Sequence, residues 1–281
     1  MGYLISHRVN PDELKPGDHI YTWRTAFTYA HHGIYVGGDK VIHFTSDLEN
    51  AKSNSVWNLS SSLPVPSSCL NSACLNSSFL NSACLNSIDC GYSLHNGDSG
   101  SCLCTYYCGF HHPESGVTLS CLNCFIGTGS VYLYQYGVSK WMHMSRIRGG
   151  MCTIEPSDPP QDVIDRAIYL LRQEKGFGDY DVARNNCEDF ALYCKTELMI
   201  DGKPDTGGSG QVNSFVTTPW KPVLVEIAKK VVLRTPMSPL AVPVIVGRHV
   251  FDRYKHDIGV RGDVIKVEVK DVESFRLSRG Y

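Results

Sequence analysis

His31-His32-Gly33-Ile34-Tyr35-Val36-Gly37, followed through a Gly37-Gly38-Asp39 turn by Val41-Ile42-His43-Phe44-Thr45, reads as two short strands tightly joined. Upstream, Lys15-Pro16-Gly17-Asp18 supplies another turn before a strand His19 to Trp23, so Pro11 to Thr45 is a compact β unit. Side chains alternate along a strand, which puts His31, Gly33 and Tyr35 on one face and His32, Ile34 and Val36 on the other. His32 thereby falls with the apolar set, and His31 is the better candidate for a polar cleft. Whether His43 shares the face of His31 depends on the register of the pairing.

About 140 residues further on, Asn186-Cys187-Glu188-Asp189-Phe190 opens a helix that Asn185 or Asn186 can cap. Phe190, Ala191, Cys194 and Leu198 follow as one apolar stripe, with Cys187 in the first turn. A cysteine attacks as thiolate, and its ordinary pKa of about 8.5 leaves little of that form at neutral pH. The positive end of a helix and a neighbouring imidazolium favour the thiolate, whereas Glu188 and Asp189 oppose it. A histidine must then supply most of the activation. In that scheme Cys187 is the nucleophile, His31 the base and His43 the group that orients it, with the Cys187 N–H a candidate oxyanion donor. Attack on an ester or amide gives an acyl-cysteine resolved by water or an acceptor. The plainer reading of such residues is buried packing and carbonyl capping, and it suits Cys194 better than Cys187.

The 281 residues are 42% hydrophobic, enough for an ordinary buried core, and a net charge of -2 excludes a nucleic-acid binder built on a basic excess. Twelve cysteines without a charged-then-apolar leader point to a reducing, cytoplasmic compartment. There is no run of eighteen apolar residues, and Pro219 to Val232 is broken by Lys221, Glu226, Lys229 and Lys230. Peripheral membrane contact stays open. Gly2 matches the myristoylation pattern loosely, with Tyr3 against it.

Residues 48–100 shift to Ser, Asn, Cys and Leu with a five-residue pattern around Cys69, Cys74, Phe79 and Cys84, a period that suits neither helix nor strand. This stretch reads as a disordered surface insertion. Gly116 to Cys124 and Ser130 to Tyr136 read as strands, and Ser157-Asp158-Pro159-Pro160 opens a helix carrying Val163, Ile164, Ala167, Ile168 and Leu171 on its apolar face. Beyond 200 the reading is an amphipathic helix Trp220 to Leu233 and a closing strand Asp263 to Val269, with no catalytic constellation. Cys121-Leu122-Asn123-Cys124 has the spacing of half a zinc site, but Cys90, Cys102, Cys104 and Cys108, with His111 and His112, complete it irregularly. No metal and no cofactor is expected.

His31 to Gly37, Ile42-His43-Phe44 and Asn186 to Phe190, together with Leu14-Lys15-Pro16-Gly17-Asp18-His19-Ile20, resemble the signatures of the lecithin:retinol acyltransferase-like family and closely resemble those of its plant NC-domain branch. The resemblance implies an α+β, circularly permuted papain-like (NlpC/P60) fold, an antiparallel sheet packed against helices. The domain would span 11–200, interrupted by the insertion, and 201–281 would form an extension of unknown role. It also implies Cys187, His31 and His43 as the catalytic set, and thiol-dependent acyl transfer or phospholipase A-type hydrolysis on phospholipid or another acyl lipid. Two departures bear on substrate: the family's frequent histidine after Asn-Cys-Glu is Asp189 here, and no carboxy-terminal spanning helix is visible. The competing readings are an NlpC/P60-type thiol peptidase or amidase and a non-catalytic lipid- or protein-interaction module.

Overall fold

The computed structural model describes residues 6–24, 29–46, 116–146, 148–201, 207–217 and 241–279. Gly2, the insertion at 48–100 and the expected helix Trp220 to Leu233 lie outside the described residues. In chain order the elements used below are β1 (His19–Arg24), β2 (Tyr29–Gly37), β3 (Lys40–Phe44), β4 (Val117–Cys121), α1 (Leu122–Ile126), β5 (Val131–Leu133), α2 (Lys140–Ser145), α3 (Pro160–Arg172), α4 (Cys187–Thr196), β6 (Leu198–Ile200), α5 (Gly210–Thr217), α6 (Ala241–Lys255), β7 (Val264–Lys266) and α7 (Val272–Arg279).

The β unit forms as its turn residues require. Asp18 N–H donates to the Lys15 carbonyl at 3.0 Å, and Gly37, Gly38 and Asp39 all take positive φ between β2 and β3, backbone that glycine adopts freely and aspartate tolerates. Five strands pair antiparallel in the order β4-β3-β2-β1-β5. Alternation along them makes two apolar faces. Ile34, Val36, Ile42, Phe44, Val117 and Leu119 pack on α3 and α4, while Ile20, Tyr35, Val41 and Val131 pack on Leu122 and Phe125 of α1. The molecule is therefore α+β, an antiparallel sheet with helices on both sides.

Three expected elements are corrected. The strand from Gly116 stops at Cys121, whose sulfur accepts the Cys124 N–H at 3.3 Å and caps α1, so Cys121 and Cys124 start a helix. β5 is only three residues long: the Tyr134 N–H still reaches the His19 carbonyl of β1 at 2.9 Å, but from Gln135 the chain exchanges backbone hydrogen bonds with Met151 and Thr153 instead. β-Propensity measured the fit of Tyr134 and Tyr136 to a packed surface, not their pairing partner. The closing strand shrinks to β7 and pairs with β6 in a separate two-stranded sheet. Leu198 belongs to that sheet because Glu197, with φ 62°, ends α4 in the left-handed region.

Described residues beyond 200 pack into the same core. Val267 and Val272 join the cluster that holds Phe190 and Cys194, and the Tyr193 hydroxyl donates to the Val267 carbonyl at 2.7 Å. Among the described residues no helix is long and apolar enough to cross a membrane.

Phe190 is fully buried between the rings of Phe44 and Phe177, at centroid distances of 6.2 and 5.4 Å. Phe190→Ala should lower unfolding free energy by about 3–5 kcal/mol. Urea denaturation checks this, and a loss below about 1 kcal/mol would mean the α4–sheet contact is not the core.

Candidate active site

Register decides where the histidines go. Gly33 pairs with His43, so His31, two residues back along β2, lies diagonally across on the same face. His31 Nε2 and His43 Nδ1 are hydrogen-bonded at 3.0 Å, and His43 Nε2 reaches Ser120 Oγ on β4 at 2.8 Å. The result is a chain of hydrogen bonds across three strands, with all three residues buried. Ser120 escaped the sequence reading, since only the β3–β4 register gives it this neighbour.

Phe125 closes the chain from above, its ring 5.4 Å from that of His31 and 5.5 Å from that of His43. Gly33 makes the room: a Cβ there would stand 2.7 Å from Val41 Cγ1, 3.0 Å from Phe125 Cε2 and 3.1 Å from His43 Cβ. Burial pulls His31 well below its ordinary pKa of 6.5, with the charges of Arg24 and His32 adding to the effect. The imidazole is therefore neutral at pH 7 and able to accept a proton.

His32 is on the other face, as strand parity requires. Its Nδ1 lies 2.8 Å from His19 Nε2, His19 Nδ1 is 2.7 Å from the Tyr136 hydroxyl, and burial lowers His32 to a pKa of about 3. This is a second, separate hydrogen-bonded chain.

Cys187 occupies the first turn of α4, with Asn186 as the cap. Asn186 Oδ1 accepts the Glu188 and Asp189 N–H groups at 2.8 and 3.3 Å, and Asp189 Oδ2 accepts the Asn186 N–H at 3.0 Å, a reciprocal capping box. Asn185 is no cap; its amide donates to the Phe177 and Asp179 carbonyls. The Cys187 sulfur lies 3.8 Å from the carbonyl oxygen of Ala30, the residue before His31. Described β3 pairing begins only at Gly33, so Cys187 stands at the edge of β2, while the imidazole pair lies on the α1 face and α4 packs on the other.

Glu188 and Asp189, expected to oppose the thiolate, are both engaged in hydrogen bonds at helix starts. Glu188 is fully buried and accepts from Ser209 Oγ, Gly210 N–H and Gln211 N–H at 2.6, 2.9 and 3.2 Å. Burial raises Glu188 to about 7 and Asp189 to about 6, so at pH 7 Glu188 is partly protonated while Asp189 is mostly ionised. Both carboxyl groups serve helix starts, Glu188 that of α5 and Asp189 that of α4.

A cavity of about 540 Å³ opens beside the sulfur, and its lining is chiefly apolar. Tyr29, Tyr180 and Val182 contribute to it, and so does a set from α5 for which the sequence reading had no role. Among the described residues no group of three or more His, Cys, Asp or Glu is placed to hold a metal ion. Cys90, Cys102, Cys104, Cys108, His111 and His112 lie outside the described residues.

Raised carboxyl pKa values make the folded state hold protons that the unfolded chain has released, so this contribution is present in acid and lost as pH rises through about 6 to 7. The buried His19, His31 and His32, held below 6.5, act with the opposite sign, so the Glu188 contribution is read as a difference: between about pH 5 and about pH 8 the urea midpoint of the wild type should fall relative to that of Glu188→Gln. A difference that does not change with pH would exclude Glu188 as a source of the dependence.

A family model described as lecithin retinol acyltransferase matches residues 12–200. Protein LEAD-SENSITIVE 1 of Arabidopsis thaliana is 39% identical over 283 residues, which cover 99% of this chain and 92% of that protein. No solved structure matches. With two thirds of its length matched by the family model and a near full-length relative at this identity, the chain belongs to the lecithin retinol acyltransferase family.

Proposed function

We propose that the protein is a cysteine-dependent acyltransferase or phospholipase A-type hydrolase acting on lipid esters, with Cys187 as nucleophile, His31 as general base and His43 as the residue that orients it. One observation carries the reading: a buried His31–His43–Ser120 hydrogen-bond chain begins one residue from Ala30, whose carbonyl abuts the Cys187 thiol at the wall of a largely apolar cavity. A neutral imidazole held by a second ring is suited to taking a thiol proton, and an apolar cavity is suited to an acyl chain.

In this mechanism His31 accepts the Cys187 proton as the sulfur adds to the ester carbonyl. Collapse breaks the bond to the alkoxide, which leaves with the proton from His31, and the acyl group remains on sulfur as a thioester. Water or a second acceptor, deprotonated by the same imidazole, then releases it. His43 fixes the His31 ring, and Ser120 fixes His43. Cavity composition favours esters with apolar chains over peptide amides, whose recognition needs more polar lining than this. Substrate delivery from a membrane surface fits Val182, Phe215 and Val216, which line the cavity yet are 70%, 75% and 63% exposed.

His31→Gln should slow acyl-thioester formation and Cys187 alkylation together, turnover falling by about 10²–10⁴-fold. Trapping the thioester by intact-mass analysis reads this, and wild-type rates in the variant would reject His31 as the base. Because burial holds His31 below 6.5, the acid limb of kcat/KM should lie below that pH. A limb at or above the ordinary histidine value would contradict the neutral-base assignment.

A further inference from the structure

The family model ends at residue 200, yet the wall of the Cys187 cavity does not. Gln211, Val212, Phe215 and Val216 line it, positions that recur on one face of α5. Gln211 is the polar member of that set, and its carboxamide is held in one orientation. Its Oε1 accepts the Ala30 N–H at 2.9 Å, and its Nε2 donates to the Ala30 carbonyl at 3.0 Å. The side chain thus completes the edge of β2 where the described β3 pairing has stopped, and the two contacts fix which end of the amide is nitrogen.

Only one of the two Nε2 hydrogens is consumed by that pairing. The Ala30 oxygen that receives it is the same atom that faces the Cys187 sulfur at 3.8 Å, so the amide nitrogen and the nucleophile are neighbours across one carbonyl. The Gln211 backbone is anchored as well, because Glu188, directly after Cys187, accepts its N–H and that of Gly210. One carboxyl group therefore ties the first turn of α5 to the first turn of α4.

Resting on the acyl chemistry above, we propose that Gln211 is a catalytic residue whose second Nε2–H receives the oxyanion formed when Cys187 adds to the ester carbonyl. The step balances without any co-reactant. Sulfur forms the C–S bond, the carbonyl π pair moves to oxygen and is held by the amide N–H, and its return expels the alkoxide, which takes the proton from His31. A preorganised donor aimed at developing charge acts in the transition state more than in the bound ester, so its loss lowers kcat rather than raising KM. Glu188 is its positioning residue.

The test uses the full chain, a p-nitrophenyl ester of a medium-chain acid, and two readouts, steady-state turnover and the rate of Cys187 alkylation by iodoacetamide. Alkylation displaces iodide at a saturated carbon and forms no oxyanion, so it reports thiol activation and site integrity alone. Gln211→Ala and the near-isosteric, uncharged Gln211→Met, whose thioether donates nothing, should each lower kcat by about 10²–10³-fold with KM and alkylation rate unchanged. Unchanged kcat in both variants would overturn the proposal, as would turnover and alkylation falling in parallel, which is the signature of a scaffold residue. A wild-type protein that alkylates normally but forms no acyl-thioester would overturn the acyl-transfer reading itself, and this proposal with it.

Discussion

The pairing of Gly33 with His43 is the constraint on which the rest of the site depends. A slip of one residue in that register would send His43 to the α3 and α4 face, where Ile42 and Phe44 belong, and would break both of its hydrogen bonds. Two features resist such a slip. The apolar alternation of β3 is buried on both faces, so the shifted strand would bury an imidazole among Phe190, Val163 and Leu119 while stripping Val41 from its own cluster. The glycine opposite His43 leaves space that Phe125 fills.

Helix α4 is placed from its first turn by polar groups and along its length by apolar ones. Asn186 and Asp189 satisfy the N–H groups that any helix start leaves open, and Glu188 carries the same service to α5. Burying two carboxyl groups side by side is costly, and the cost is visible in their raised pKa values. Hydrogen bonds to backbone N–H groups and to Ser209 offset it. The arrangement joins the segment beyond 200 to the helix that bears the cysteine, so that segment is a structural part of the site and not a tail attached to a finished domain.

Much of the β unit and both principal helices were legible in the sequence because local rules govern them. Glycine and aspartate turns fix where β2 gives way to β3, β-branched and aromatic residues fix their extent, and a capping asparagine with acidic residues behind it fixes the start of α4. Strand parity separated His31 from His32 correctly, since alternation is a property of one strand alone. Cys121 to Cys124 was read as the end of a strand, and no local signal showed that the Cys121 sulfur caps a helix there.

Chain order and composition by themselves determined the two histidine strands, the capped cysteine helix and the family to which they point. Only the tertiary structure decided which groups meet: that Ser120 ends the histidine chain, that Glu188 turns toward the start of α5, and that Gln211 closes the edge of β2 beside Cys187. Each of those contacts joins residues whose distance along the chain carries no information about their separation in space. Register and the docking of α5 on α4 bring them together, and both are set by the sum of many packed side chains, which no single segment encodes.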